Sequence, residues 1–139
     1  MTTLAQVRTA IIDKVDALTG FREVPYPVEY FGRAQNSIAH LGFSVSLTGT
    51  EAQGERQRRA DQVYLQTDIA IVFAHRLRPH DLSDDINTAH GKETDIIETL
   101  LGTYTQKGFT IRYNRTQRRY PDSLEYIIIE LNFTAQHTP

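Results

Sequence analysis

The sequence predicts an α+β domain in which a mainly antiparallel sheet packs against two helices, and three patterns predict it. Val63 to His75 and Leu124 to Ala135 are long alternating segments. In the first, Leu65, Thr67, Ile69, Ile71 and Phe73 share one face and Gln66 and Asp68 the other; in the second, Ile127, Ile129, Leu131 and Phe133 oppose Glu130 and Asn132. The third pattern is helical spacing of apolar residues in two stretches, one at the start of the chain and one after His75. The outer faces of the long strands also carry Ala70, Val72, Tyr126 and Ile128, so that side calls for cover from the same chain or from another subunit. This mixed face points toward assembly.

The first helix runs from about Thr3 to Leu18, with Leu4, Val7, Ile11, Val15 and Leu18 on one stripe, Thr3 as cap and Gly20 as stop. Phe21 to Val24 reads as a short strand, and Pro25 and Pro27 then interrupt regular pairing because each lacks an amide donor. Phe43, Val45 and Leu47 alternate with Ser44, Ser46 and Thr48 as a half-buried strand that enters a polar loop, Thr48 to Ala60. After the long strand to His75, Pro79 ends the pairing. Asp81, Ser83, Asp84 and Asp85 supply a cap and first-turn acids for a helix to about Leu101, stopped by Gly102. Its apolar face is Ile86, Ala89, Ile96, Ile97, Leu100 and Leu101, with a polar gap from Gly91 to Asp95 that predicts an exposed or broken middle. Phe109, Ile111 and Tyr113 alternate with Thr110 and Arg112, and a tip at Asn114 to Asp122 returns the chain into the last strand. The order is α-β-β-α-β-β, with Ile129 facing inward and Ile128 outward.

A chain of 139 residues fits one domain, 1–139, able to bury roughly two thirds of its unfolded surface. The net charge of -2, with pI near 6.2, gives no global attraction to nucleic acid or anionic lipid. The chain has no cysteine, which excludes disulfides and thiolate chemistry and fits a reducing interior. Met1 to Leu18 lacks a basic region followed by an apolar run, and no segment approaches the length of a membrane span. The expectation is a soluble, unprocessed protein.

His75, His80, Asp81, Asp84, Asp85, His90 and Glu93 form the one local gathering of metal-capable side chains, but their spacing matches no metal motif. Acids at a helix start already have a role in satisfying orphan amides and the helix dipole, so no metal is expected. There is no Gly-rich phosphate loop after a strand and no serine between the glycines of a nucleophile elbow. No enzyme activity and no cofactor are expected. The arginines are the stronger lead: Arg56, Arg58 and Arg59 share one loop, and Arg112, Arg115, Arg118 and Arg119 lie on the last hairpin, where they could take carboxylates or phosphates. Tyr104, Tyr113 and Tyr120 lie near the second group, which in composition alone is like a single-strand binding groove. Tyr113 is better explained as core. Docking on another protein subunit and solvated polar loops are the other readings, and arginine is enriched at protein interfaces.

The run from Arg33 through Asn36, Ser37, His40 and Gly42 to Val45, the polar loop after it, and the strand ending Phe73-Ala74-His75-Arg76-Leu77-Arg78-Pro79 precede an acid-capped helix and a closing hairpin. Over nearly the whole chain this order resembles the tail terminator proteins of long-tailed bacteriophages and phage-like gene transfer agents. The resemblance implies a small α+β structural subunit that forms a homo-oligomeric ring, commonly hexameric, capping the tail tube and ending its elongation. It implies a tail tube protein and a head-to-tail connector or neck protein as partners, with DNA passing through the ring and no specific nucleic acid or membrane bound. The place implied is the virion tail and neck, assembled in the host cytoplasm. The residues expected at interfaces are Arg56, Arg58, Arg59, Arg115, Arg118, Arg119, Tyr126 and Ile128. Another connector or neck component, and a small nucleic-acid-binding module or enzyme, are the alternatives.

Overall fold

Thr3 opens α1 (Leu4–Asp16) with a reciprocal capping box: the Gln6 amide donates to Thr3 Oγ1 at 3.2 Å and the Thr3 amide to Gln6 Oε1 at 2.8 Å. In this computed structural model the described residues are 3–24, 40–53, 64–101, 109–121 and 125–137. Val7, Ile11 and Val15, one turn apart, are the buried stripe of α1. Gly20 ends the turn that follows at φ 89°, a left-handed backbone angle that favours glycine, and a Cβ there would also make Leu41 Cδ1, 2.8 Å away, shift aside.

Among the described residues five strands form one sheet: β1 (Arg22–Glu23), β2 (Gly42–Gln53), β3 (Tyr64–Arg76), β4 (Thr110–Arg119) and β5 (Tyr126–His137), in spatial order β1-β2-β3-β5-β4. Only the two-residue β1 is parallel to its neighbour; the other pairs are antiparallel. With β1 set aside, the chain follows the predicted α-β-β-α-β-β order, and the fold is α+β. A short 3-10 turn (Pro79–Asp81) leads from β3 into α2 (Leu82–Leu101).

Both helices lie on one face of the sheet. Phe43 and Val45 of β2, Ile69, Ile71 and Phe73 of β3, and Ile127, Ile129, Leu131 and Phe133 of β5 join Val7, Ile11 and Val15 of α1 and Ala89, Ile96 and Leu100 of α2 in one apolar core. Phe21 packs edge-on against both Phe43 and Phe73, at ring separations of 6.2 and 5.2 Å. The predicted inward faces of β3 and β5 are the observed ones.

Three segments depart from expectation. Thr48 to Gln53, predicted as loop, continue β2 beyond a register shift between Leu47 and Gly49, which leaves Thr48 as the extra residue. Asn114 to Arg119, predicted as hairpin tip, continue β4 past a similar shift between Tyr113 and Arg115. α2 is unbroken through Gly91 to Asp95 because Glu93, read as part of an exposed gap, is buried against a partner on β4. In each case a local polar composition was overruled by pairing or packing with a distant segment.

The outer face of the sheet is less bare than its composition suggests. Val72, Ala74 and Ile128 are buried within the single chain, with Val24 and Tyr126 packed against them. Cover comes from the chain itself, so this apolar patch does not by itself require a second subunit.

Ile129 is fully buried in the main core and Ile128 is 4% exposed in the smaller outer cluster. Ile129→Ala is expected to cost about 3–5 kcal/mol and Ile128→Ala about 2 kcal/mol, from lost burial and residual cavity. Urea unfolding of the two variants checks this, and a larger loss at Ile128 would reverse the assigned weights of the two faces.

Candidate assembly surface

The bulge in β4 decides what its arginines can do. Ile111 and Tyr113 face the helices, paired with Ala135 and Phe133, so uninterrupted alternation would send Arg115 the same way. Asn114 is inserted instead, its side-chain amide donating to Thr134 Oγ1 at 2.6 Å. The phase then switches: Arg115 lies in register with Asn132 and Arg119 with Ile128 on the outer face, while Arg118 lies in register with Ile129 on the helix face.

Arg118 meets Glu93 from the middle of α2. Its Nε donates to Glu93 Oε2 at 3.1 Å and its Nη2 to Oε1 at 2.5 Å, a two-pronged pairing with a carboxylate that is otherwise 7% exposed. His90 Nδ1 stands 3.4 Å from the same Oε2. The Glu93 carboxylate pushes the Arg118 guanidinium above its ordinary pKa. Arg118 therefore clamps β4 to α2.

A second clamp holds the β3 to α2 corner. Asp85 accepts from the Arg78 amide at 2.8 Å, from Nε at 3.1 Å and from Nη2 at 3.0 Å, and these bonds hold its carboxyl down to about 2 from an ordinary 3.8. Next to it, His40 and His75 meet edge to face at 4.5 Å. The Arg76 amide donates to His40 Nδ1 at 3.0 Å, and His75 Nδ1 donates to the Arg76 carbonyl at 2.8 Å. Burial lowers both pKa values, reinforced for His40 by the charge of His75. The metal-capable group of the sequence is thus divided between these clamps, and among the described residues no three such side chains gather.

Of the remaining predicted sites, Arg115 and Arg119 are exposed on the outer face, Tyr126 is half-buried beside Ile128, and Arg56, Arg58 and Arg59 lie outside the described residues. Arg112 joins the outer row in register with Thr134. Glu51 and Asp68 are exposed acids on the outer face of β2 and β3; the sequence placed Asp68 beside Gln66 on that face without a role, and Glu51 in a polar loop. Among the described residues no helix is long and apolar enough to cross a membrane. Compared with protein-family models and with curated proteins, the chain matches none.

Two expectations follow. Arg118→Ala strands a buried carboxylate and should cost about 2 kcal/mol in urea unfolding, whereas Arg115→Ala on the same strand should stay within about 0.5 kcal/mol of wild type. The His pair folds best when neutral, so the unfolded chain takes up protons first as pH falls below 6.5. Stability should be full above pH 6.5, decline below it, and lose a further contribution from Asp85 as pH falls from 3.8 toward 2. Unfolding titrations from pH 8 to 5 check the first step, and His40→Gln with His75→Gln should flatten it.

Proposed function

We propose that this chain is a structural subunit of a phage-like tail, forming a ring that caps the tail tube, ends its elongation and offers the attachment surface for a head or neck. The observation that carries the reading is the architecture itself, two helices on one face of a mainly antiparallel five-stranded sheet in the α-β-β-α-β-β order. That is the subunit implied by the tail terminator resemblance, which extends over nearly the whole chain. The chemistry of the described residues is in keeping with it. The buried acids Asp85 and Glu93 are bound by arginines of the same chain. Arg112, Arg115 and Arg119 are exposed along β4, an arrangement that a docking surface can use.

A nucleic-acid-binding module is the second reading, favoured by one feature: Arg112, Arg115 and Arg119 form a basic row on the outer face of β4. The two readings part in salt dependence. A phosphate-gripping row loses DNA affinity steeply with added salt, about one unit of log–log slope per contact, whereas a docking row gives no DNA complex at physiological salt.

Deleting the protein from particles that carry it should leave heads intact and produce tails of irregular or excessive length that fail to join them, because an uncapped tube end still offers its polymerising surface. Electron micrographs measure this directly. Tails of normal length in its absence would move the protein to the connector or neck.

A further inference from the structure

β1 pairs only Gly42 and Phe43 of β2, so among the described residues the Gly49–Gln53 stretch of β2 has no strand beyond it, as β4 has none on its outer side; β2 and β4 each carry a bulge, and both bulges leave a regular stretch at the same end. On β2 the ladder resumes at Gly49 and runs to Gln53; on β4 it runs from Thr110 to Tyr113 before Asn114 intrudes. These stretches are level. Gly49 is in register with Asp68, Asp68 with Thr134 and Thr134 with Arg112, while Glu51, Gln66, Gln136 and Thr110 form a second such row. Three successive antiparallel pairings also make β2 and β4 run in opposite directions. A second copy set beside the first in the same orientation would therefore bring its β4 antiparallel to this β2 with no rotation needed.

The charges at these two edges are complementary. β4 carries four arginines and no acid, and β2 carries Glu51 and no base. Asp68 lies directly across from Gly49, its Oδ2 3.8 Å from where a Cβ of that residue would be. Gly49 has no side chain to obstruct the approach. Among the described residues Arg112, Glu51 and Asp68 make no side-chain ion pair.

We infer that the partner of this edge is a second copy of the chain: Thr110–Tyr113 of β4 adds to Gly49–Gln53 of β2 in the neighbouring copy, and Arg112 crosses Gly49 to reach Asp68 and Glu51. The contact is head to tail, so successive copies propagate it and close when the rotation between them permits. Main-chain bonds supply the pairing and the arginine sets its register. Past its bulge each strand resumes a regular ladder with its own neighbour, Phe43–Leu47 in β2 and Arg115–Arg119 in β4, but one residue out of phase, so a pairing in a single register stays on one side of the bulges. Closure in one size rests on the ring reading above; the pairing of edges does not.

The test is a charge exchange read by sedimentation velocity across a dilution series. Arg112→Glu alone and Asp68→Arg alone should each weaken self-association at least ~10-fold by placing like charges opposite one another, while their thermal unfolding shows them folded. An equimolar mixture of the two should regain wild-type association, because each mismatched edge then meets its complement in the other variant. Should Asp68→Arg fail to fold, Glu51→Arg takes its place. Single variants that associate as wild type, a mixture no better than its components, or a wild-type chain that stays monomeric throughout overturns the edge pairing. A wild-type ring of one size that ignores the exchange also overturns it but leaves the ring reading standing. The expected exchange pattern in assemblies that stop at two copies, or that grow without limit, supports the pairing and removes the ring.

Discussion

The pairing of β3 with β5 is the constraint on which the other elements depend. It runs without a register shift from Leu65 opposite His137 to Arg76 opposite Tyr126, and it joins two strands whose inward faces are almost wholly apolar. Side chains alternate across a strand with period two, so a slip of one residue would carry Ile127, Ile129, Leu131 and Phe133 out of the core together. The helices settle on this spine, and β2 and β4 flank it, each with one irregularity that the central pair lacks.

This explains which parts of the fold were legible in the sequence. β3 and β5 announce themselves because burial on one face enforces alternation over their whole length, and α1 because Thr3, the Val7–Ile11–Val15 stripe and Gly20 are all local signals. The edge strands do not announce themselves. Beyond Leu47 in β2 and Tyr113 in β4 the chain is polar on both faces, and its strand state is imposed by a neighbour that sequence inspection does not place beside it. The polar middle of α2 misled for a related reason: Glu93 serves a residue 25 positions later, and only the tertiary fold brings Arg118 to it.

The surface was legible in composition and illegible in direction. Arginines in β4 were evident, but one inserted residue, Asn114, separates them into a clamp within the chain and a row on the outer face. Bulges carry no dependable sequence mark, so a reading of residue types could not tell Arg118 from Arg119. Asp68 was visible only as the polar partner of Gln66 in an alternation. Its significance comes from Gly49 on the next strand, whose missing side chain leaves the carboxylate open from the sheet edge.

The same central pair sets the order in which the molecule can be built. β2 and β3 are neighbours along the chain and close as a hairpin, whereas β3 and β5 join residues roughly 50 to 70 positions apart, with all of α2 between them. On the ribosome, β5 is the last described strand to emerge. Until it does, β3 presents an open hydrogen-bonding edge and the apolar residues of the β2–β3 hairpin and both helices have no floor to settle on. The nascent chain thus passes through a stage at which the open β3 edge awaits the strand that silences it, and a pause in synthesis anywhere between Arg76 and Tyr126 would prolong that stage.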